Sequence, residues 1–261
     1  MTSSVLPIQV IKAPEHWRTV DFISDLHLQE NEHATFEVWQ RYMQNTTADA
    51  VFILGDLFEV WVGDDAVQQH VFLQQCQNIL KSTARHKHVG FMRGNRDFLV
   101  GPQFLRDCHV HDLQDPTVLS FASESWLISH GDEGCLDDVN YQAFRQMVRT
   151  APWQQNFLSK PLAEREVIAR QLRTESELRK KESTSEYADV DDAWALQLLM
   201  QTQSSCLVHG HTHKPANHVL GAPQNLKRIV LSDWDAVGVR PRAEVLRRHA
   251  SGKVDRVNLL R

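Results

Sequence analysis

Ala50-Val51-Phe52-Ile53-Leu54-Gly55-Asp56 is an apolar run that stops on a glycine and an acid. Its length and its β-branched, aromatic and aliphatic content are those of a strand covered on both faces, and the Gly-Asp ends it in a turn. The same grammar recurs on either side. Residues 19–24 run into Asp25-Leu26-His27, and residues 89–92 run into Arg93-Gly94-Asn95-Arg96-Asp97. The intervening stretches 34–44 and 68–84 are helix-like, so residues 19–97 read β-α-β-α-β, the alternation of an α/β fold. In open α/β sheets sites form at the carboxyl ends of the strands, which would bring these three turns to one rim.

Farther along, 117–121 and 126–129 read as a hairpin leading into His130-Gly131-Asp132. A helical region, 139–200, interrupts the strand pattern. Residues 206–208 resume it and run into His209-Gly210-His211-Thr212-His213, and β character returns at 227–231 and around Val245 and Val254. With no internal repeat or low-complexity tract, residues 1–261 read as a single α/β domain in which 151–200 is a helical insertion or cap.

Composition narrows the class. The 261 residues are 42% hydrophobic and 23% charged, the mix of a soluble globular protein able to hold its own core, which excludes disorder as the main state. The longest apolar runs are a handful of residues, against the roughly 20 that a membrane span needs. No basic residue precedes Lys12, and Pro7 and Gln9 break the early apolar stretch, so a secretory signal is not expected and the chain should stay in the cytosol. Cys76, Cys108, Cys135 and Cys206 are far apart and read as reduced thiols rather than a disulfide framework or a thiolate zinc site. A net charge of −5 argues against a general nucleic-acid binder, yet residues 145–181 carry nine Lys/Arg against four Asp/Glu. Trp153, Phe157, Leu158, Leu162, Ile168 and Leu172 recur there at mostly helical spacing. Such basic amphipathic helices are either solvated faces over ordinary core or contacts for an anionic, amphiphilic partner.

Five short motifs carry the chemistry: Asp25-Leu26-His27, Gly55-Asp56, Gly94-Asn95-Arg96-Asp97, His130-Gly131-Asp132 and Gly210-His211-Thr212-His213. Each alone is commonly a turn. Together they offer two carboxylates (Asp25, Asp56), four imidazoles (His27, His130, His211, His213) and one carboxamide (Asn95). This nitrogen and oxygen set without thiolate suits Mn²⁺, Fe²⁺ or Zn²⁺ in an open catalytic site. Seven groups suffice for two metals if one carboxylate bridges, with Asp56 the natural bridge, and paired metals clamp the attacking and leaving oxygens of a displacement at phosphorus. Glycines before Asp56, Asn95 and His211 allow close backbone approach at the strand ends.

The ordered motifs, spanning residues 25–213, resemble the calcineurin-like metallophosphoesterase superfamily. The resemblance implies a double β-sheet flanked by helices with a di-metal centre at one rim. In that pattern one ion is held by Asp25, His27, Asp56 and His213 and the other by Asp56, Asn95, His130 and His211, while His209 matches no ligand position. One departure is informative. Many members carry histidine after the asparagine, where it is thought to protonate the leaving group, and this chain has Arg96. Arginine cannot act as a general acid, but its planar fork clamps phosphate oxygens, which favours a leaving group that departs as a stable anion, as in pyrophosphate cleavage. Arg96 could instead merely pair with Asp97 or another carboxylate.

Longer runs narrow the match: Gly55 through Asp65, Gly94-Asn95-Arg96-Asp97-Phe98-Leu99, Asp137-Asp138, and Tyr141-Gln142-Ala143-Phe144-Arg145 resemble the UDP-2,3-diacylglucosamine pyrophosphatases of lipid A biosynthesis. That resemblance implies attack of a metal-activated water on the α-phosphorus of UDP-2,3-diacylglucosamine, giving UMP and 2,3-diacylglucosamine 1-phosphate. It implies two divalent metal ions, usually Mn²⁺, and a helical lid over 151–200 that receives the acyl chains. It places Asn95, Arg96, Asp138, Ser176 and His211 at the substrate and Asp56 and Arg96 in catalysis; farther along the lid, members often carry asparagine and then lysine where this chain has Lys180 and Ser183, so that Lys180 or Lys181 could supply the cation. It also implies peripheral attachment to the anionic cytoplasmic surface of an inner membrane, without nucleic acid or an obligate protein partner. An enzyme for soluble nucleotides would have no use for an apolar lid, and a non-catalytic scaffold no reason to keep two buried carboxylates beside four imidazoles. Asp97 is open between orienting a neighbour and capping a turn, and Asp64 and Asp65 between fixing a loop and being solvated acids. Phe58 and Trp61 read as core.

Overall fold

The computed structural model describes residues 8–182, 188–221 and 225–260, and of residues 175–182 the backbone alone. In chain order the first half runs β1 (Gln9–Lys12), β2 (Thr19–Ile23), α1 (His33–Asn45), β3 (Ala50–Leu54), α2 (Val71–Ala84), β4 (His88–Met92), α3 (Pro102–Cys108), β5 (His111–Leu113), β6 (Thr117–Phe121) and β7 (Glu124–Ile128). The second half runs α4 (Val139–Val148), α5 (Ala151–Leu158), α6 (Leu162–Glu182), α7 (Asp192–Thr202), β8 (Cys206–His209), β9 (Ala216–Leu220), β10 (Leu226–Val230), β11 (Glu244–His249) and β12 (Val254–Asn258).

The strands form two sheets, ordered β12-β11-β2-β3-β4-β5 and β1-β6-β7-β8-β10-β9. In the first, β2 to β5 are parallel, with Ile23 opposite Ile53 and Leu54 opposite Met92, so the turns after β2, β3 and β4 open on the same rim. In the second, β7 and β8 are parallel with Ile128 opposite Val208, so their C-terminal turns also emerge together.

The unbroken apolar run of β3 follows from its central place. Ala50, Phe52 and Leu54 face the layer between the sheets, while Val51 and Ile53 face the helices on the other side, the two-residue alternation of a strand covered twice. Between the sheets Phe22 stacks on Phe52 at 5.7 Å and on Trp126 at 6.0 Å. On the outer side α1, α2 and α3 bury Trp39, Met43, Cys76, Leu80 and Phe104 against the first sheet. On the far side of the second sheet α7 contributes Ala195 and Leu199 beneath Leu127 and Leu207. Phe22→Ala, which empties the centre of the inter-sheet layer, is expected to cost about 3–5 kcal/mol in urea unfolding. A loss under about 1 kcal/mol would contradict this packing.

The β-α-β-α-β reading of 19–97 holds with small shifts. The helix read from residue 68 begins at Val71, because Asp64–Gln68 is a 3₁₀ turn. The elements that the sequence reading lacks are short or peripheral: β1, β5, β9 and α3. Helix α3 opens on Pro102 and draws its N-terminal cap from far along the chain, where Asp64 accepts the N–H groups of Gly101 (2.8 Å) and Phe104 (2.9 Å). The long helical region resolves into α4 to α7. Phe58 and Trp61 are core, 4.7 Å apart and both against Phe104. All four cysteines are buried and free.

Candidate metal centre

Each of the seven expected ligands stands just beyond a strand. Asp25 and His27 follow β2, Asp56 follows β3, Asn95 follows β4, His130 follows β7, and His211 and His213 follow β8. The rim turns are tight. Asp25, His27, Asp56, His211 and His213 all hold positive φ, between 50° and 66°, a region that non-glycine residues rarely adopt. Strain of this kind persists only where the surroundings over-determine it, and it collects at functional sites.

Asp97 supplies much of that surrounding order. Its buried carboxylate accepts the N–H of Gly94 (2.8 Å), Asp56 (3.3 Å), Leu57 (2.8 Å) and Phe58 (3.4 Å), fastening the turn after β4 to the turn after β3. Burial, with the Asp56 charge beside it, pushes the Asp97 carboxyl up to about 6. Asp97 thus bonds backbone amides rather than orienting Arg96. Asp97→Ala leaves buried donors without an acceptor and is expected to lower stability by at least about 2 kcal/mol, read by chemical denaturation. An unchanged midpoint would remove this role.

Five of the expected ligands fall into two clusters that share Asp25. Asp25, His27 and His213 form one group of donor atoms within 4.8 Å of one another, and Asp25, Asp56 and His130 form a second. His27 Nε2 and His213 Nε2 are 3.2 Å apart, and Asn95 Oδ1 lies 3.0 Å from His130 Nε2 and 2.8 Å from His211 Nδ1. The opposite ring nitrogens are engaged from outside: His130 Nδ1 donates to the Leu54 carbonyl (2.9 Å), His27 Nδ1 lies 2.9 Å from Glu59 Oε2, and His213 Nδ1 lies 3.4 Å from Asp233 Oδ2. Partners on the outer nitrogen fix the tautomer and leave the inner lone pair for a metal.

The charge balance calls for cations. Asp25 is fully buried and its Oδ1 accepts no hydrogen bond, with His213 Nε2 at 3.5 Å. Burial pushes Asp25 up, yet the surrounding histidines outweigh it and hold the carboxyl well below the usual range. His130 shows the reverse: burial pulls it down, but Asp56, Asp132 and Asp25 push it up to about 9, while burial and the His130 charge pull His211 down to about 3. Buried carboxylates that draw a proton onto a neighbouring imidazole are a fit for divalent ions, and the donor set is oxygen and nitrogen throughout.

Around this centre the helices contribute groups that the sequence reading does not single out. Asp132 is buried and receives Tyr141 Oη–H (2.6 Å) and Arg145 Nε–H (2.9 Å) from α4, and Arg149 donates to the Gly94 carbonyl (3.0 Å). The Tyr141 ring stands 5.5 Å from that of His211. Glu59, 7% exposed, faces Arg96 (3.6 Å) and Arg173 of α6 (3.3 Å) besides His27, so the carboxylate beside Arg96 is Glu59 and not Asp97. Burial raises the Glu59 carboxyl, but His27 and the two guanidinium groups outweigh it and keep it below the usual range. No spacing rule marks these residues, because their roles arise only when distant segments meet.

Asp138 is exposed and caps α4 by accepting the Tyr141 N–H at 3.0 Å. The side chains of Ser176 and Lys180 lie outside the described residues. His209 is buried on the underside of the rim, with Nδ1 2.9 Å from the Gly210 carbonyl and Nε2 3.4 Å from Arg228, and burial pulls it down to about 4. Asp65 pairs with Arg165 of α6, whose guanidinium also donates to the Val62 carbonyl. Phe157 of the same helical region is core, stacked 5.1 Å from Trp153, whereas Leu158 and Val167 are exposed.

The calcineurin-like phosphoesterase model matches residues 18–215. The chain is similar to a UDP-2,3-diacylglucosamine hydrolase of Aromatoleum aromaticum, 41% identical over 218 residues that cover 82% of this chain and 88% of the relative. It is similar to two more proteins of that name. One, from Haemophilus ducreyi, is 40% identical with 83% of this chain and 92% of the relative covered. The other, from Histophilus somni, is 38% identical with 88% and 96% covered. With the metal-binding rim formed by the very residues that the matching family model spans, the chain belongs to the calcineurin-like phosphoesterases and, among them, to the UDP-2,3-diacylglucosamine hydrolases.

Proposed function

We propose that this chain hydrolyses the pyrophosphate bond of UDP-2,3-diacylglucosamine at the α-phosphorus, releasing UMP and 2,3-diacylglucosamine 1-phosphate for lipid A biosynthesis. The observation that carries the reading is the convergence of the seven donor groups on one rim with Arg96 next to Asn95, a cation where a general acid would otherwise stand. Two ions would be held by Asp25, His27, Asp56 and His213 and by Asp56, Asn95, His130 and His211, with Mn²⁺ the expected metal. Asp56 suits the bridge because β3 lies between β2, which leads to Asp25 and His27, and β4, which leads to Asn95. When bound, such ions supply Lewis acidity at phosphoryl oxygens and a readily ionised water.

The protein's own groups do the rest. A guanidinium is not a general acid, so Arg96 orients and neutralises phosphate oxygens and donates no proton to the leaving group. The sugar 1-phosphate leaves as a stable anion and needs none. Residues 151–200 act as the lid, and its support is the docking of α6: Arg165 is pinned to Asp65 and Val62, His70 meets Glu166 at 2.8 Å, and Arg173 reaches Glu59. In this reading Asp138, Ser176 and Lys180 meet the glucosamine and its phosphate. Attachment to the cytoplasmic face of the inner membrane is peripheral. The basic 145–181 stretch and exposed Met147, Leu158 and Val167 support that reading. No helix among the described residues is long and apolar enough to cross a membrane.

The test is product analysis with Mn²⁺ on UDP-2,3-diacylglucosamine, UDP-glucose and an aryl phosphate. UMP from the acylated substrate alone is expected. Turnover of the aryl ester but not the lipid nucleotide would refute the substrate assignment.

A further inference from the structure

We infer that Glu59 is the positioning residue that fixes His27 as a metal ligand and ties it to the guanidinium groups of Arg96 and Arg173. The inference rests on the metal reading above and assigns a role to a group outside the seven donors. The backbone places Glu59 with little freedom. The turn after β2 is stitched to the turn after β3 by Leu26 N–H and His27 N–H to the Asp56 carbonyl (2.9 and 3.1 Å) and Leu28 N–H to the Leu57 carbonyl (2.9 Å). Glu59 N–H to the Leu28 carbonyl (3.2 Å) closes the stitch. This stitch brings the backbones of residues 27 and 59 together, and in the rotamers present their side chains meet.

The carboxylate divides its oxygens. Oε2 lies 2.9 Å from His27 Nδ1, without the directionality of an ideal hydrogen bond, and Oε1 faces Arg96 at 3.6 Å and Arg173 at 3.3 Å. A carboxylate at Nδ1 selects the Nδ1–H tautomer and turns the Nε2 lone pair inward, toward His213. The same charge holds two cations from separate segments, the turn after β4 and helix α6, beside that ligand. With its side chain only 9% exposed, Glu59 is kept ionised by these partners, and its removal strands them.

Metal binding reads this without relying on turnover. Mn²⁺ is titrated calorimetrically into metal-free wild type, Glu59→Ala, Glu59→Gln and His27→Ala, with thermal unfolding of each metal-free protein alongside. For Glu59→Ala one of the two ions should bind about 10- to 100-fold more weakly while the other is unchanged. Glu59→Gln, which keeps an acceptor, should lose less at the same ion, and it serves if the alanine variant does not fold. Adding Glu59→Ala to His27→Ala should weaken binding no further. Unchanged affinity for both ions in Glu59→Ala overturns the inference, and so does equal weakening of both. Wild type that takes up no Mn²⁺ refutes the metal reading instead.

Discussion

Asp56→Ala is expected to lower turnover by about 10³- to 10⁴-fold and to leave the chain folded. The magnitude follows if the bridge is lost: Lewis-acid stabilisation by a bound ion is worth several kcal/mol, and each 1.4 kcal/mol is about tenfold in rate. Retention of the fold follows from where the residue sits. Asp56 is one of the carboxylates gathered at the rim, its Oδ1 accepting the Arg96 N–H at 2.8 Å, while the residues of β3 buried in the two cores are the apolar ones before it. Removing this carboxylate relieves its repulsion with Asp97 but takes a counter-charge from His130, so the two effects oppose and the melting temperature of the metal-free protein should shift little. The stabilisation that Mn²⁺ confers should shrink in the same variant. Steady-state kinetics with metal-dependent thermal unfolding check both halves, and wild-type turnover in Asp56→Ala would remove the bridging assignment.

Gly94→Ala should lower turnover by about 100-fold although it removes none of the seven ligand groups. A Cβ at Gly94 would stand 2.5 Å from the Asp56 backbone nitrogen and nearer still to Asp56 Oδ1. The obstacle includes main chain, so no rotamer change relieves it, and either the turn after β4 or the Asp56 carboxylate must move. A displacement on the order of 1 Å at a reacting centre costs about 100-fold. Gly252 is the control: its φ of 87° strains an alanine, but nothing lies within 4 Å of an added Cβ. Gly252→Ala should therefore lower stability by about 1 kcal/mol and leave turnover alone. Normal kinetics in Gly94→Ala would mean that the rim is looser than these contacts require.

Much of the fold and the donor set was readable because both are local. A strand such as β3 declares itself through five apolar residues, and Gly55-Asp56 marks its end, so type, boundary and chemistry share seven consecutive positions. Helix α3 had no such signal: its N-terminus is capped by Asp64, 37 residues before Gly101. Glu59 stands inside the Gly55–Asp65 run, yet nothing in its neighbours shows that it faces a histidine 32 positions earlier and α6 far downstream. Asp132 is a similar case, two positions after His130 and anchored by Tyr141 and Arg145 only through the packing of α4. The positive φ of five of the expected ligands is equally silent, since aspartate and histidine enter that region only when tertiary contacts hold them there.

The most direct measurement of the central claim is hydrolysis of UDP-2,3-diacylglucosamine in ¹⁸O-enriched water, followed by mass analysis of both products. Attack on the α-phosphorus at the rim beside Arg96 predicts a single ¹⁸O in UMP and none in 2,3-diacylglucosamine 1-phosphate. Label in the sugar phosphate, with unlabelled UMP, would contradict it.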